Sequence, residues 1–79
     1  MSGIKVRDIR VGDVIMPRLG IYARPPQTES VFDYRKLIVS VKKHRDAFVF
    51  GILQSGEYYT TMYGEDETIK NHVFFERGP

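Results

Sequence analysis

The residues that could do chemistry are few and widely spaced. His44 sits in the polar run Lys42-Lys43-His44-Arg45-Asp46, and His72 lies near the C-terminus. Neither has a Cys or an acidic residue at recognisable ligand spacing, so no metal is expected. The chain contains no cysteine, which removes a thiol nucleophile, thiolate metal sites and disulfide staples together. Glu65-Asp66-Glu67 gathers three carboxylates, but calcium loops spread their oxygens over a longer stretch around a required glycine. That triplet reads as a solvated acidic turn. Nucleophile elbows of the Gly-x-Ser-x-Gly kind are missing, as are Gly-rich phosphate loops followed by Lys and Ser or Thr. In 79 residues an active site would have to be assembled between subunits. The sequence therefore reads as non-catalytic, with no cofactor and no small-molecule substrate indicated.

Binding chemistry remains. Lys42, Lys43, His44 and Arg45 form the strongest local charge feature, and Arg35 and Lys36 extend it along one side. A hairpin tip carrying such cations can contact phosphates. Tyr58, Tyr59 and Tyr63, if on an adjacent exposed face, would let bases stack. These seven residues, four at the tip and three tyrosines, are the candidate binding surface. The same tyrosines, with Tyr22 and Tyr34, are equally suited to gripping a protein, because Tyr and Arg are favoured at interfaces. The formal charge is only +2, from 12 Lys and Arg against 10 Asp and Glu. Cations at a hairpin tip also keep sheet edges from aggregating. A protein partner or a second copy of the chain is thus the leading expectation, with nucleic acid the alternative.

The elements that must position these side chains are strands. Leu37-Ile38-Val39-Ser40-Val41 and Ala47-Phe48-Val49-Phe50-Gly51-Ile52-Leu53 flank the polar run 42–46. Two β-prone runs around a polar break predict an antiparallel hairpin. Strict alternation puts Leu37, Val39 and Val41 on one face of the first arm, with Lys36, Ile38, Ser40 and Lys42 on the other. Phe48, Phe50 and Ile52 alternate with Val49, Gly51 and Leu53 in the second. Val39, Val41, Phe48, Phe50 and Ile52 are expected to meet inside a curled sheet. Both faces are largely apolar in the middle, which predicts cover on both sides, by the rest of the fold and by a loop or a partner chain. Gly51 predicts a bulge or sharp bend.

Toward the N-terminus, Ile4 and Val6 alternate with Lys5 and Arg7 as in a short strand. Val11-Gly12-Asp13 predicts a tight turn, with Gly12 free to take positive φ and Asp13 able to bond nearby backbone. Val14-Ile15-Met16 resumes as a strand that Pro17 limits, and Ile9 and Val11 are expected to plug one end of the core. The segment Val11-Gly12-Asp13-Val14-Ile15 resembles the lead-in to the first strand of SH3-like small barrels, including KOW-type and Tudor-type modules. The resemblance implies a barrel with a long loop between its first two strands. The further glycine spacing of a KOW motif is absent after Ile15, so the nucleic-acid role of those modules is not carried over. Arg18 to Ser30, with Gly20, Pro25 and Pro26, fits that loop. Ile21 and Tyr22 either make a brief strand or fold back.

Glu57 to Tyr63 predicts a third strand after the turn Ser55-Gly56. Thr68 to Arg77 fits either a strand or a helix, and its β-prone residues favour a closing strand over 71–76, with room for one helical turn before it. No run approaches the roughly 18 apolar residues of a membrane span, and no hydrophobic stretch follows Met1-Ser2-Gly3-Ile4-Lys5 to act as a secretion signal. The expectation is one all-β domain over residues 1–79, an SH3-like barrel of about five antiparallel strands, a soluble cytoplasmic protein or a viral protein working inside a cell.

Overall fold

The apolar runs of the central stretch form the two longest neighbouring strands, as β-branched and aromatic residues on a pleated surface should. In this computed structural model, which describes residues 3–18 and 34–79, the chain builds β1 (Gly3–Lys5), a 3-10 turn (Val6–Asp8), β2 (Val14–Pro17), β3 (Lys36–His44), β4 (Ala47–Gln54), β5 (Glu57–Gly64), β6 (Thr68–Lys70) and β7 (His72–Glu76). All pairings are antiparallel, in a five-stranded sheet of order β5-β4-β3-β2-β7 and a two-stranded sheet β1-β6. Ile21, Tyr22, the proline pair and Val31-Phe32-Asp33 lie outside the described residues. No helix among the described residues is long and apolar enough to cross a membrane.

The hairpin turn is tighter than its composition suggests. Lys42, Lys43 and His44 belong to β3, His44 pairs with Ala47, and only Arg45 and Asp46 turn the chain. Two-residue connections need positive φ for strands of right-handed twist to meet, and Arg45 supplies it at φ 57°. Ser55 and Gly56 do the same between β4 and β5, at φ 51° and 78°.

The expected alternation along β3 needs one correction. Ile38 pairs with Ile52 and Ser40 with Gly51, so Val39 is an extra residue opposite the glycine. A bulge of one residue resets the side-chain period. Ile38 therefore joins Val41 on the core face, while Val39 is exposed. Gly51 marks the bulge from the opposite strand: a Cβ there would collide with Ser40 and the ring of Tyr58.

Ile4, Val6, Ile9, Ile15, Ile38, Phe50 and Ile52 make the core, with Val41, Phe48, Tyr63, Ile69 and Phe74 packed on it. Burying an Ile or Phe side chain stabilises by about 1.5–3 kcal/mol, so these few residues dominate the fold. Ile9 plugs the core as expected, but Val11 stays exposed. The C-terminal segment is strand, with β6 where one helical turn was allowed. Asn71, at φ 59°, breaks it into β6 and β7. Because that segment pairs with β1 and β2, the outer edge of β5 has no strand partner among the described residues. In place of the barrel of about five strands expected from the sequence, the described residues form an open five-stranded sheet and a separate two-stranded sheet, with no hydrogen-bonded closure among them.

The turn Val11-Gly12-Asp13 ties the open end together. Asp13 is fully buried. Its carboxylate accepts the backbone N–H groups of Arg10 at 2.7 Å and Gly78 at 2.6 Å, and Arg77 Nε at 3.2 Å. Its own carbonyl accepts Ile38 N–H at 2.9 Å, and Gly12 N–H donates to Ile38 at 2.8 Å. Gly12 adopts φ 92°, with Gly78 and Pro79 lying across it.

Candidate functional site

Four places could meet a ligand: the hairpin tip, the tyrosines of β5, the outer sheet face and the cleft between the two sheet edges. At the tip, Lys42, His44 and Arg45 are exposed. Lys43 is 3.0 Å from Glu65 and lies over Phe48 at 5.7 Å from its ring centre. Acids from the next turn therefore offset part of the tip's charge.

The tyrosines do not form one platform with that tip. Tyr63 pairs with Phe48 near it, but its ring turns inward and packs 6.2 Å from Phe50. Tyr58 and Tyr59 pair with Leu53 and Ile52 at the far end of the sheet. Five residues of strand separate Tyr58 from Tyr63, roughly 17 Å at about 3.3 Å per residue. Tyr58 faces outward and is 60% exposed, whereas Tyr59 faces inward and donates to Gln54 Oε1 at 3.1 Å. Alternation in a strand forces this split, because adjacent residues take opposite faces.

The outward positions of β3 to β5 form a row of their own. The register aligns Leu37 with Leu53 and Leu53 with Tyr58, then Lys42 with Val49 and Val49 with Met62. Met62 is 63% exposed at one end of this face and Leu53 and Tyr58 are exposed at the other, with the rung of Ser40, Gly51 and Thr60 between them. A shallow groove of about 260 Å³ ends the row, lined by Val14, Leu37, Leu53 and Phe75. Arg35 closes its rim, 4.0 Å above the Phe75 ring. Scattered exposed apolar residues are ordinary, but several gathered on one sheet face point to an interaction surface.

The inner cleft is smaller and more polar. Residues of β5 (Tyr59, Thr61, Tyr63) and of the C-terminal strands (Ile69, His72) line it with Lys36, over a floor that includes Ile15, Ile38 and Phe50. Its volume is about 40 Å³, room for about three waters at ~10–15 Å³ each. Lys36 Nζ lies 3.2 Å from His72 Nε2, and His72 Nδ1 lies 2.9 Å from the Lys70 carbonyl. A carbonyl only accepts, so Nδ1 carries the proton and Nε2 receives a hydrogen bond from the ammonium. Burial pushes the Lys36 ammonium below the ordinary lysine value. Burial, and then the neighbouring Tyr63, push the Tyr59 phenol up. Among the described residues no carboxylate forms an ion pair with Lys36.

Asp13 and Arg77, by contrast, satisfy each other and the backbone. Burial raises the Asp13 carboxyl, but the N–H groups of Gly78 and Arg10 and the Arg77 guanidinium outweigh it and hold it below the usual carboxylate range. Arg77 also donates to the Asp8 carbonyl at 3.0 Å and stacks 4.0 Å above Phe74. Among the described residues no three His, Asp or Glu side chains come together as a metal site.

Of the seven candidate residues, Tyr59 and Tyr63 reach the inner cleft, Tyr58 the outer row, and the other four the tip. Sequence reasoning undervalued Lys36 and His72, which are 36 positions apart and meet only through the β2–β3 and β2–β7 pairings. No family model, curated protein or solved structure matches the chain, so these distances and faces are what speaks for its function.

Proposed function

We propose that this chain is a non-catalytic interaction module of the SH3-like kind that pairs with a second copy of itself through the outer face of β3, β4 and β5. The observation that carries this reading is the exposure of Leu53, Tyr58 and Met62 on one sheet face. Lys42 is the one formally charged residue among the outward positions from Leu37 to Met62 in those strands. Two such faces brought together by a two-fold axis meet without opposed rows of like charge, as an isologous contact requires. The SH3-like assignment is supported by β2 lying between β3 and the last strand, and by the long connection between β2 and β3.

Sedimentation equilibrium from micromolar to submillimolar concentration tests the pairing. The expected result is a reversible dimer that Met62→Glu and Tyr58→Glu each return to monomer while leaving the far-ultraviolet spectrum unchanged. A wild-type monomer throughout that range overturns it. Nucleic-acid binding is the second reading, favoured by the exposed Lys42, His44 and Arg45. It predicts oligonucleotide affinity that falls steeply with salt and drops when Lys42 and Arg45 become Ala. Absence of binding at low salt eliminates it.

A further inference from the structure

We propose that the cleft between β5 and β7 is a binding site for a single carboxylate group, received by Lys36 Nζ and the hydroxyls of Tyr63 and Thr61. Lys36 is half-buried, its ammonium meets Nε2 of His72, and no acid among the described residues forms an ion pair with it. A cation withdrawn from water is stable when an anion meets it, and otherwise costs the fold. His72 is held by the Lys70 carbonyl and takes one of the three N–H groups that an ammonium can donate.

Size and charge choose the ligand. A cleft of about 40 Å³ is far below the ~300 Å³ of a pocket that encloses a small metabolite, yet it admits the head of a carboxylate. A phosphate dianion calls for more than one cation or for the fork of an arginine, and among the described residues Lys36 is the only formal charge lining this cleft. Tyr59 and the apolar floor line the same cleft, and such partly desolvated surroundings strengthen one ammonium–carboxylate contact. The carboxylate arrives either free or on an Asp or Glu side chain of a polypeptide. This site stands on the inner face and does not depend on pairing through the outer one.

Nuclear magnetic resonance titration of the whole chain tests it. The probes are sodium acetate and a capped Gly-Glu-Gly peptide, against sodium chloride at matched ionic strength and a capped Gly-Gln-Gly peptide. Acetate is expected to shift the His72 and Tyr63 ring signals saturably, in roughly the millimolar range for one charged contact, and Lys36→Met to abolish the effect. Lys42→Met, on the outer face, should leave it intact. If the Glu peptide binds about tenfold more tightly than acetate, the ligand is borne on a polypeptide; equal affinity marks a free carboxylate, and both support the site. Shifts that are linear, matched by chloride or retained in Lys36→Met overturn it. So does a fall in the thermal midpoint of Lys36→Met at low salt, because it would show that Lys36 already has its counter-charge. A monomer that binds acetate saturably would sink the outer-face pairing and leave this site standing.

Discussion

Asp13 and Lys36 are both charged side chains withdrawn from water, and the fold treats them in opposite ways. Around Asp13 it gathers two backbone N–H groups and a guanidinium, from residues near it in sequence and from the far C-terminus. Around Lys36 it places one neutral imidazole, in a cleft lined by tyrosine and threonine side chains over an apolar floor. A satisfied buried charge holds structure, and its removal leaves unpaired donors behind. An unsatisfied one weakens the free protein and is retained where binding needs it. The contrast separates the part of the chain that keeps the fold together from the part with chemistry to spare.

The sharpest way to break the comparison is at Asp13. Asp13→Ala should lower stability by about 3 kcal/mol, since it strands buried donors and the Arg77 charge; a loss below about 1 kcal/mol in urea unfolding would remove Asp13 from its central place. The pH dependence sharpens the same point. Because the folded-state value is lowered, the stabilisation from ionised Asp13 is complete above the unfolded carboxylate value of about 3.9. It fades as pH falls through the lower folded value. Asp13→Asn should therefore lose less stability than wild type on acidification through that window.

Gly12→Ala comes next, at about 1–2 kcal/mol, because an L-residue is strained at φ 92° and its Cβ would press on Gly78 and Pro79 at 3.2 Å. Arg77→Met should cost about 1 kcal/mol, the worth of its hydrogen bonds less the packing that Met keeps over Phe74. The smallest effect has the opposite sign. Lys36→Met should stabilise by about 0.5 kcal/mol at neutral pH. The folded-state value of Lys36 is lowered, so its unfavourable contribution is fully present at neutral pH. Stability then rises with pH between the folded value and the unfolded value of about 10.4. Differential scanning calorimetry of the two proteins across the alkaline range should show the advantage of Lys36→Met disappearing.

Much of the strand plan was legible in the chain. Residues 47–54 were expected as one strand and form one, and Gly12 takes the positive φ foreseen for it. Composition could not show that Lys42 to His44 continue β3, because charged side chains are tolerated wherever a strand passes into water. Nor could alternation reveal Val39 as an added residue, since Leu37, Val39 and Val41 look like one regular face until Gly51 is placed opposite. The candidate surface was read from neighbours in sequence. Lys36, His72 and Tyr59 are brought together by long-range pairings, and nothing local to any of the three announces the others.

Val39 has one more consequence. It is the position in β3 where a residue can be removed while every inward side chain, Lys36 and Ile38 and Val41 alike, keeps its side of the sheet. Removal anywhere between Val41 and His44 would instead turn the following segment inside out. A bulge adds local twist to the strand that carries it, so a chain shortened at Val39 should still fold with the same interior but as a flatter ribbon. The two sheet margins would then stand further apart, and the mouth between Tyr59 and His72 would gape.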